Sequence, residues 1–195
     1  MLKQAIAATN NAGKLKEFQA ILEPLGFRVI SMKEAGVSAD PEETGTTFAE
    51  NAKIKARAVA ELSGLPALAD DSGLCVDALG GAPGIYTARF GGDIPQSEKN
   101  DLLLRTLEET GSSDRSARFV SAICLAYPDG SCVEAEGVCE GSILYSASGT
   151  NGFGYDPIFA DQWGRSFGDL PAEEKNRISH RAAALSALAE KLRMQ

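Results

Sequence analysis

Two aspartates, Asp70 and Asp71, stand side by side at the end of the apolar run 67–69, and two glutamates, Glu42 and Glu43, lie upstream in an acidic segment. Carboxylates in this number suit magnesium, which takes a few of them together with water and substrate phosphates. Successive residues of an extended strand point to opposite faces. One aspartate is therefore expected to hold a metal or act as a base, and the other to orient it or cap a turn at Ser72-Gly73.

A second group could receive the phosphates. Thr9, Asn10, Asn11, Ala12, Gly13 and Lys14 fall between a strand-like run and a helical one. A helix N-terminus there offers N–H groups and the positive end of a dipole to an anion, and Lys14 adds a charge. The segment is not a Walker loop, because the upstream glycine is missing and Leu15 stands where a hydroxyl would hold magnesium. Further on, Gly149 to Pro157 reads Gly-Thr-Asn-Gly-Phe-Gly-Tyr-Asp-Pro. Its glycines let backbone approach a flat ligand, and Phe153 and Tyr155 can stack on a base. Lys175 and the run Ser179-His180-Arg181 close the set. Each group also has a plainer reading: a capped turn, solvated acids, a loop with one aromatic anchor, an ordinary surface helix.

The elements that must position these residues follow from periodicity. Residues 5–8 read as a buried strand, followed by a helix with Leu15, Phe18, Leu22 and Leu25 on one face, and Val29-Ile30 as a second strand. Residues 37–46 form a loop. Thr47-Phe-Ala-Glu50 matches a capping box and opens a helix with Phe48, Ala52, Val59 and Leu62 as its core stripe and Gly64 as its stop. Asn51 and Lys55, four apart, share a face of it. Pro66 opens the strand 67–69. Residues 80–84 form a glycine-proline loop, and 101–109 a helix with Leu103 and Leu107 inward. Residues 118–127 and 131–138 read as strands joined at Pro128-Asp129-Gly130. After the loop 146–154, a final helix runs over 182–192, entered through Ser179. Helices between early strands and a late hairpin predict an α/β fold with a mixed sheet.

The totals narrow the function. The chain's 195 residues suit a single domain of one body or two packed lobes. A net charge of -8 argues against a general nucleic-acid binder. No apolar run approaches the roughly 20 residues of a membrane span, and Met1-Leu2-Lys3-Gln4 lacks a signal-peptide pattern, so a cytoplasmic place is expected. The 4 cysteines, Cys75, Cys124, Cys132 and Cys139, form no C-x-x-C pair, and His180 is the sole histidine. That spacing predicts thiols in a reducing compartment rather than a zinc site.

Taken in order, Thr9-Asn10-x-x-x-Lys14, Glu43-Thr-Gly, Glu50-Asn51-Ala52-x-x-Lys55-Ala56, Asp70-Asp71-Ser72-Gly73-Leu74, Gly80-Gly-x-Pro-Gly84, Phe153-Gly-Tyr-Asp-Pro157 and Ser179-His-Arg181 resemble the inosine triphosphate pyrophosphatase family from residue 8 to residue 188. The resemblance implies one nucleoside-triphosphate pyrophosphatase domain over 1–195, with an elongated, twisted mixed sheet flanked by helices and two lobes about a central cleft. It implies Mg2+-dependent hydrolysis of dITP, ITP and XTP to monophosphate and pyrophosphate by a homodimer. By the same resemblance Thr9, Asn10, Asn11, Ala12, Gly13 and Lys14 bind the triphosphate. Asp71 is the catalytic, metal-linked carboxylate, with Glu43 as second metal carboxylate and Glu42 beside it as the alternative. Ser72, Phe153, Gly154, Tyr155, Asp156, Lys175, His180 and Arg181 hold substrate. Two other readings stay open: a pyrimidine or modified-nucleotide pyrophosphatase on the related fold of the septum-formation inhibitor family, and a nucleotide-binding module without turnover.

Overall fold

The structure is a computed structural model that describes residues 3–194. Met1 and Leu2, where the N-terminal signal was sought, lie outside the described residues. Its elements are β1 (Lys3–Ala7), α1 (Ala12–Leu22), β2 (Phe27–Ser31), α2 (Phe48–Ser63), β3 (Ala67–Val76), α3 (Gln96–Glu109), β4 (Ser116–Ala126), β5 (Cys132–Ile143), β6 (Phe159–Asp161), α4 (Ala172–Ile178) and α5 (His180–Arg193). They build a 6-stranded sheet in the order β2-β1-β3-β4-β5-β6. β1 pairs parallel with β2 and β3, and β5 pairs antiparallel with β6, so the sheet is mixed, as the element pattern predicts. Among the described residues no helix is long and apolar enough to cross a membrane.

The chain divides into two compact units. The first takes the chain up to Asp71, then Ser121–Gly137, then from His180 onward. Its strands sort their side chains by parity, as a pleated strand must. Ala5, Ala7, Leu68, Ile123 and Leu125 join Phe18 and Leu22 of α1 and Leu185 and Leu188 of α5 in one core. Ile6, Ala67, Ala69, Cys124 and Ala126 join Ala52, Ala56, Val59 and Ala60 of α2 in the other. The alanines along α2 leave little side-chain bulk between helix and sheet. Leu62, expected in that stripe, falls outside the arc the stripe defines and is 64% exposed.

The second unit comprises Ser72–Val120 and Val138–Ser179. Its core gathers Leu74 and Val76 of β3, Leu103 and Leu107 of α3, and the rings of Phe119, Phe159 and Phe167. Three expectations change here. Residues 70–73 make no turn, because β3 runs on to Val76. The strand β6 and the short helix α4 were not foreseen; α4 begins after Pro171 and ends at Ser179. Lys175 therefore belongs to its own helix rather than to the approach of the final one.

Candidate active site

The parity of β3 decides where the paired aspartates go. Asp70 shares its parity with Leu68 and enters the face covered by α1 and α5; Asp71 shares that of Ala67 and Ala69 and enters the face covered by α2.

On the first face Asp70 Oδ2 lies 2.8 Å from Lys14 Nζ and 3.0 Å from an Arg181 guanidinium nitrogen. The Ser121 hydroxyl donates to Asp70 Oδ1, and Arg181 also pairs with Glu17 of α1. Arg181 is 1% exposed. Its place depends on Gly137 of β5, where a Cβ would sit 2.2 Å from the His180 carbonyl oxygen and 2.3 Å from the Ala184 nitrogen. A side chain there would push the first turn of α5 off the strand. Burial would raise the Asp70 pKa, but Arg181 and Lys14 outweigh it and hold the carboxyl well below the usual carboxylate range. Lys14 is therefore an ion-pair partner rather than a free charge on a helix end. The turn before it is also closed in part. Asn11 caps α1, its side-chain oxygen accepting from Gly13 N at 2.8 Å and Lys14 N at 3.1 Å, while Thr9 Oγ1 accepts from Asn11 N at 3.1 Å. Asn10 and Ala12 are exposed.

The other face is built from α2 and the loop before it. Thr47 caps the helix through Glu50 N, as the sequence predicts, and the Glu50 carboxylate reaches back chiefly to Thr46 N, at 2.7 Å, with Thr47 as a weaker partner. Asn51, fully buried, accepts from Gly45 N at 2.9 Å through its side-chain oxygen. A Cβ on Gly45 would meet that oxygen at 2.6 Å, so only glycine lets the loop lie against the helix. This clamp places Glu43. One turn along α2 from Asn51, Lys55 Nζ lies 2.8 Å from Asp71 Oδ1 and 3.1 Å from Glu43 Oε1. The second Asp71 oxygen, Oδ2, is buried without a hydrogen-bond partner. Burial raises the Asp71 pKa; Lys55 opposes the rise and Glu43 adds to it, leaving the group above the ordinary aspartate value. Burial lowers the Lys55 pKa, but Asp71 and Glu43 outweigh it, so the lysine is raised and stays charged.

These residues fit a hard divalent cation. A buried carboxylate oxygen with no donor, next to a second carboxylate that already shares a cation, is the donor chemistry magnesium takes. Glu43 and Asp71 would hold it; Glu42 is exposed and joins neither. Lys55 and Asn51 are absent from the sequence-derived site. Their spacing on one helix face was the available signal, and the charges they meet come from β3 and the loop 37–46.

In the second unit, Lys175 is 4% exposed and pairs with Asp156 Oδ2 at 2.7 Å. Its ammonium lies 4.5 Å from the centre of the Phe153 ring, within cation–π range. The same Asp156 oxygen accepts from Phe153 N at 2.8 Å. Lys175 is thus the buried residue of a helix whose Ala172, Glu173, Glu174 and Arg177 are exposed, and Asp156 is taken up inside the loop. Tyr155 is not a stacking surface either. It is 3% exposed in the core, and its hydroxyl donates to the Thr87 carbonyl at 3.0 Å. Asn100 of α3 holds the Gly154 carbonyl at 3.2 Å. Phe153 is the ring of this loop left half-buried, and Ser72 is half-buried on β3. His180, in the first unit, is 5% exposed at the start of α5.

Comparison with known proteins agrees over nearly the whole chain. Residues 5–191 match the model of the Ham1 family. A dITP/XTP pyrophosphatase of Haemophilus influenzae is 48% identical over 196 residues, covering 98% of this chain and 100% of its own. One of Thermus thermophilus is 47% identical, covering 96% of this chain and 90% of its own. The solved structure of a HAM1 protein from Coxiella burnetii superposes with a TM-score of 0.89 at 43% identity, covering 99% of this chain and 100% of that one.

Proposed function

The chain belongs to the Ham1 family, and from that premise we propose that it hydrolyses the triphosphates of deaminated purines, dITP, ITP and XTP, to the monophosphate and pyrophosphate. The observation that carries the reading is Asp71: a buried carboxylate with a raised pKa, one oxygen without a donor, and Lys55 and Glu43 at its side.

Phosphoryl anhydride cleavage needs a placed water and neutralised charge more than covalent help. A carboxylate raised toward neutrality is a better proton acceptor than an ordinary one, since it binds the proton it takes more firmly. Asp71 is assigned that role, and Lys55 keeps it oriented. Magnesium, held by Asp71 and Glu43 when bound, supplies neutralisation of phosphate charge and a lowered pKa of water. Thr9, Asn10, Asn11, Ala12, Gly13 and Lys14 are assigned the triphosphate. With Asn11 occupied by the helix cap, the Lys14 ammonium and the Thr9 and Asn10 side chains carry most of that contact. Ser72, Phe153, Gly154, Lys175, His180 and Arg181 are assigned to substrate, with Phe153 stacking on the base. Tyr155 and Asp156 support that loop from inside. A donor near His180-Arg181 favours the 6-oxo group of hypoxanthine and xanthine, because the adenine amine would leave it unpaired. A single pyrophosphatase domain over 1–195, acting as a cytoplasmic homodimer, completes the proposal.

The test is pyrophosphate release from a panel of triphosphates, with and without magnesium. ITP, dITP and XTP are expected to be cleaved far faster than ATP or GTP, and only with the metal. Inorganic phosphate as product, or equal rates on ATP and ITP, would refute the reading.

A further inference from the structure

The cysteines carry a second site. In sequence Cys124 and Cys132 are eight apart and form no metal-binding pair. The hairpin changes this. Its turn, closed by Gly130 N on the Tyr127 carbonyl and Tyr127 N on the Ser131 carbonyl, folds β5 back along β4. Cys124 then shares a sheet face with Cys132 and with Glu134, two residues further along β5. The two sulfurs and a Glu134 carboxylate oxygen all lie within 4.8 Å of one another. Cys124 is buried, whereas Cys132 and Glu134 are half-buried and give access from solvent.

We propose that Cys124, Cys132 and Glu134 form a binding site for one soft divalent cation of the zinc class, with water as fourth ligand. The donor set decides the class: two thiolates and a carboxylate select zinc over magnesium. In a tetrahedral site with Zn–S near 2.3 Å, the ligand atoms stand about 3.7 Å apart. Rotation of the side chains by about 1 Å or less closes the observed group to that size.

The charges around the group fit a filled site. Two thiolates, one carboxylate and a dication leave one negative charge in surplus. Lys53 Nζ lies 2.6 Å from Glu134 Oε1, and the Arg57 guanidinium, which donates to the Gly130 carbonyl at 3.2 Å, has its pKa raised by Cys132. These two cations offset that surplus negative charge. Lys53 is itself 37% exposed, so it can swing aside and leave Glu134 to the metal. Burial, with Cys132 beside it, pushes the Cys124 thiol up to about 12, so this sulfur is a protonated thiol until a strongly thiolate-binding metal displaces the proton. Glu43 and Asp71, both carboxylates, lack sulfur and do not compete for such an ion.

The experiment is a Co2+ titration of the reduced, full-length protein, followed by displacement with Zn2+. One equivalent is expected to bind with a sulfur-to-cobalt charge-transfer band, and Zn2+ to abolish the band and raise Tm. Cys132→Ala, at a half-exposed position, is expected to keep its circular dichroism and lose the band, with Zn2+ affinity down at least about a hundredfold. Glu134→Gln should keep a weakened band, and Asp71→Asn and Cys75→Ala an unchanged one. A cobalt spectrum without sulfur ligation overturns the proposal. So does an unchanged band in Cys132→Ala.

Discussion

Asp70 and Asp71 are the same residue on the same strand and almost equally buried, at 2% and 7% exposed, yet their pKa values move in opposite directions. Burial penalises the charge of both. The difference lies in the partners. Around Asp70, the charges of Lys14 and Arg181 cancel those of Asp70 and Glu17, and the Ser121 hydroxyl takes a further lone pair. Around Asp71, Lys55 serves two carboxylates at once, one negative charge is in surplus, and Oδ2 has no donor. A balanced group fixes structure, whereas an unbalanced one has valence left for a metal and a proton. On the proposed reading the metal and the proton belong to the α2 face of β3, while the Asp70 group on the other face holds Lys14 and Arg181 in place.

The largest effect that could break this contrast is on folding. Asp70→Asn takes from the buried Arg181 and from Lys14 the carboxylate with which both pair. Removing one member of such a buried pair costs about 3–5 kcal/mol, read from urea unfolding, while the turnover of the folded protein changes far less. The acid limb sharpens the point. The folded pKa of Asp70 lies below its unfolded value, about 3.9. Its stabilisation is therefore complete above that pH and is lost as pH falls through the folded pKa. Asp70→Asn should lack this limb. An unchanged urea midpoint in Asp70→Asn would mean that the group around Arg181 is not held by charge.

Next comes Asp71→Asn. Single-turnover pyrophosphate release is expected to fall about a hundredfold or more, with folding stability at neutral pH no lower than in the parent. The sign follows from the raised pKa. A carboxyl whose folded pKa exceeds its unfolded one costs stability as pH rises through that window, fully so above the folded value, and Asn removes the cost. Near-normal rates in Asp71→Asn with a dead Asp70→Asn would reverse the two faces.

Much of this was legible in the sequence, and the failures share a cause. Alternation along a strand already says that Asp70 and Asp71 diverge, and the cap at Thr47 and the stop at Gly64 are local signals that the structure repeats. What could not be read is which helix covers which face. That choice turns Lys14, Lys175 and Arg181 from free cations into ion-paired ones, and it brings Lys55 to Asp71. It also explains the cysteines: a rule built on C-x-x-C spacing is blind to a pair that a hairpin brings together. Leu62 and Tyr155 mark the same limit from the apolar side. Periodicity put the first inside and chemistry put the second on a ligand, and tertiary packing reversed both.

The smallest effect is the most discriminating. The Asp71 pKa is the resultant of burial pushing it up, Lys55 pulling it down and Glu43 pushing it up again. Replacing the lysine by an uncharged chain of similar length, Lys55→Met, removes the downward influence, so the Asp71 carboxyl should titrate at higher pH than in the parent. Glu43→Gln removes a neighbouring negative charge, so it should titrate lower. The measurement is a carboxyl-resolved NMR titration of the metal-free protein, where no cation masks the pair. Opposite signs are required, because a general loosening of the site would admit water and lower the pKa in both variants. Shifts of the same sign, or none, would leave burial as the sole cause of the raised Asp71. The contrast between the two faces would then rest on desolvation rather than on an unbalanced set of charges.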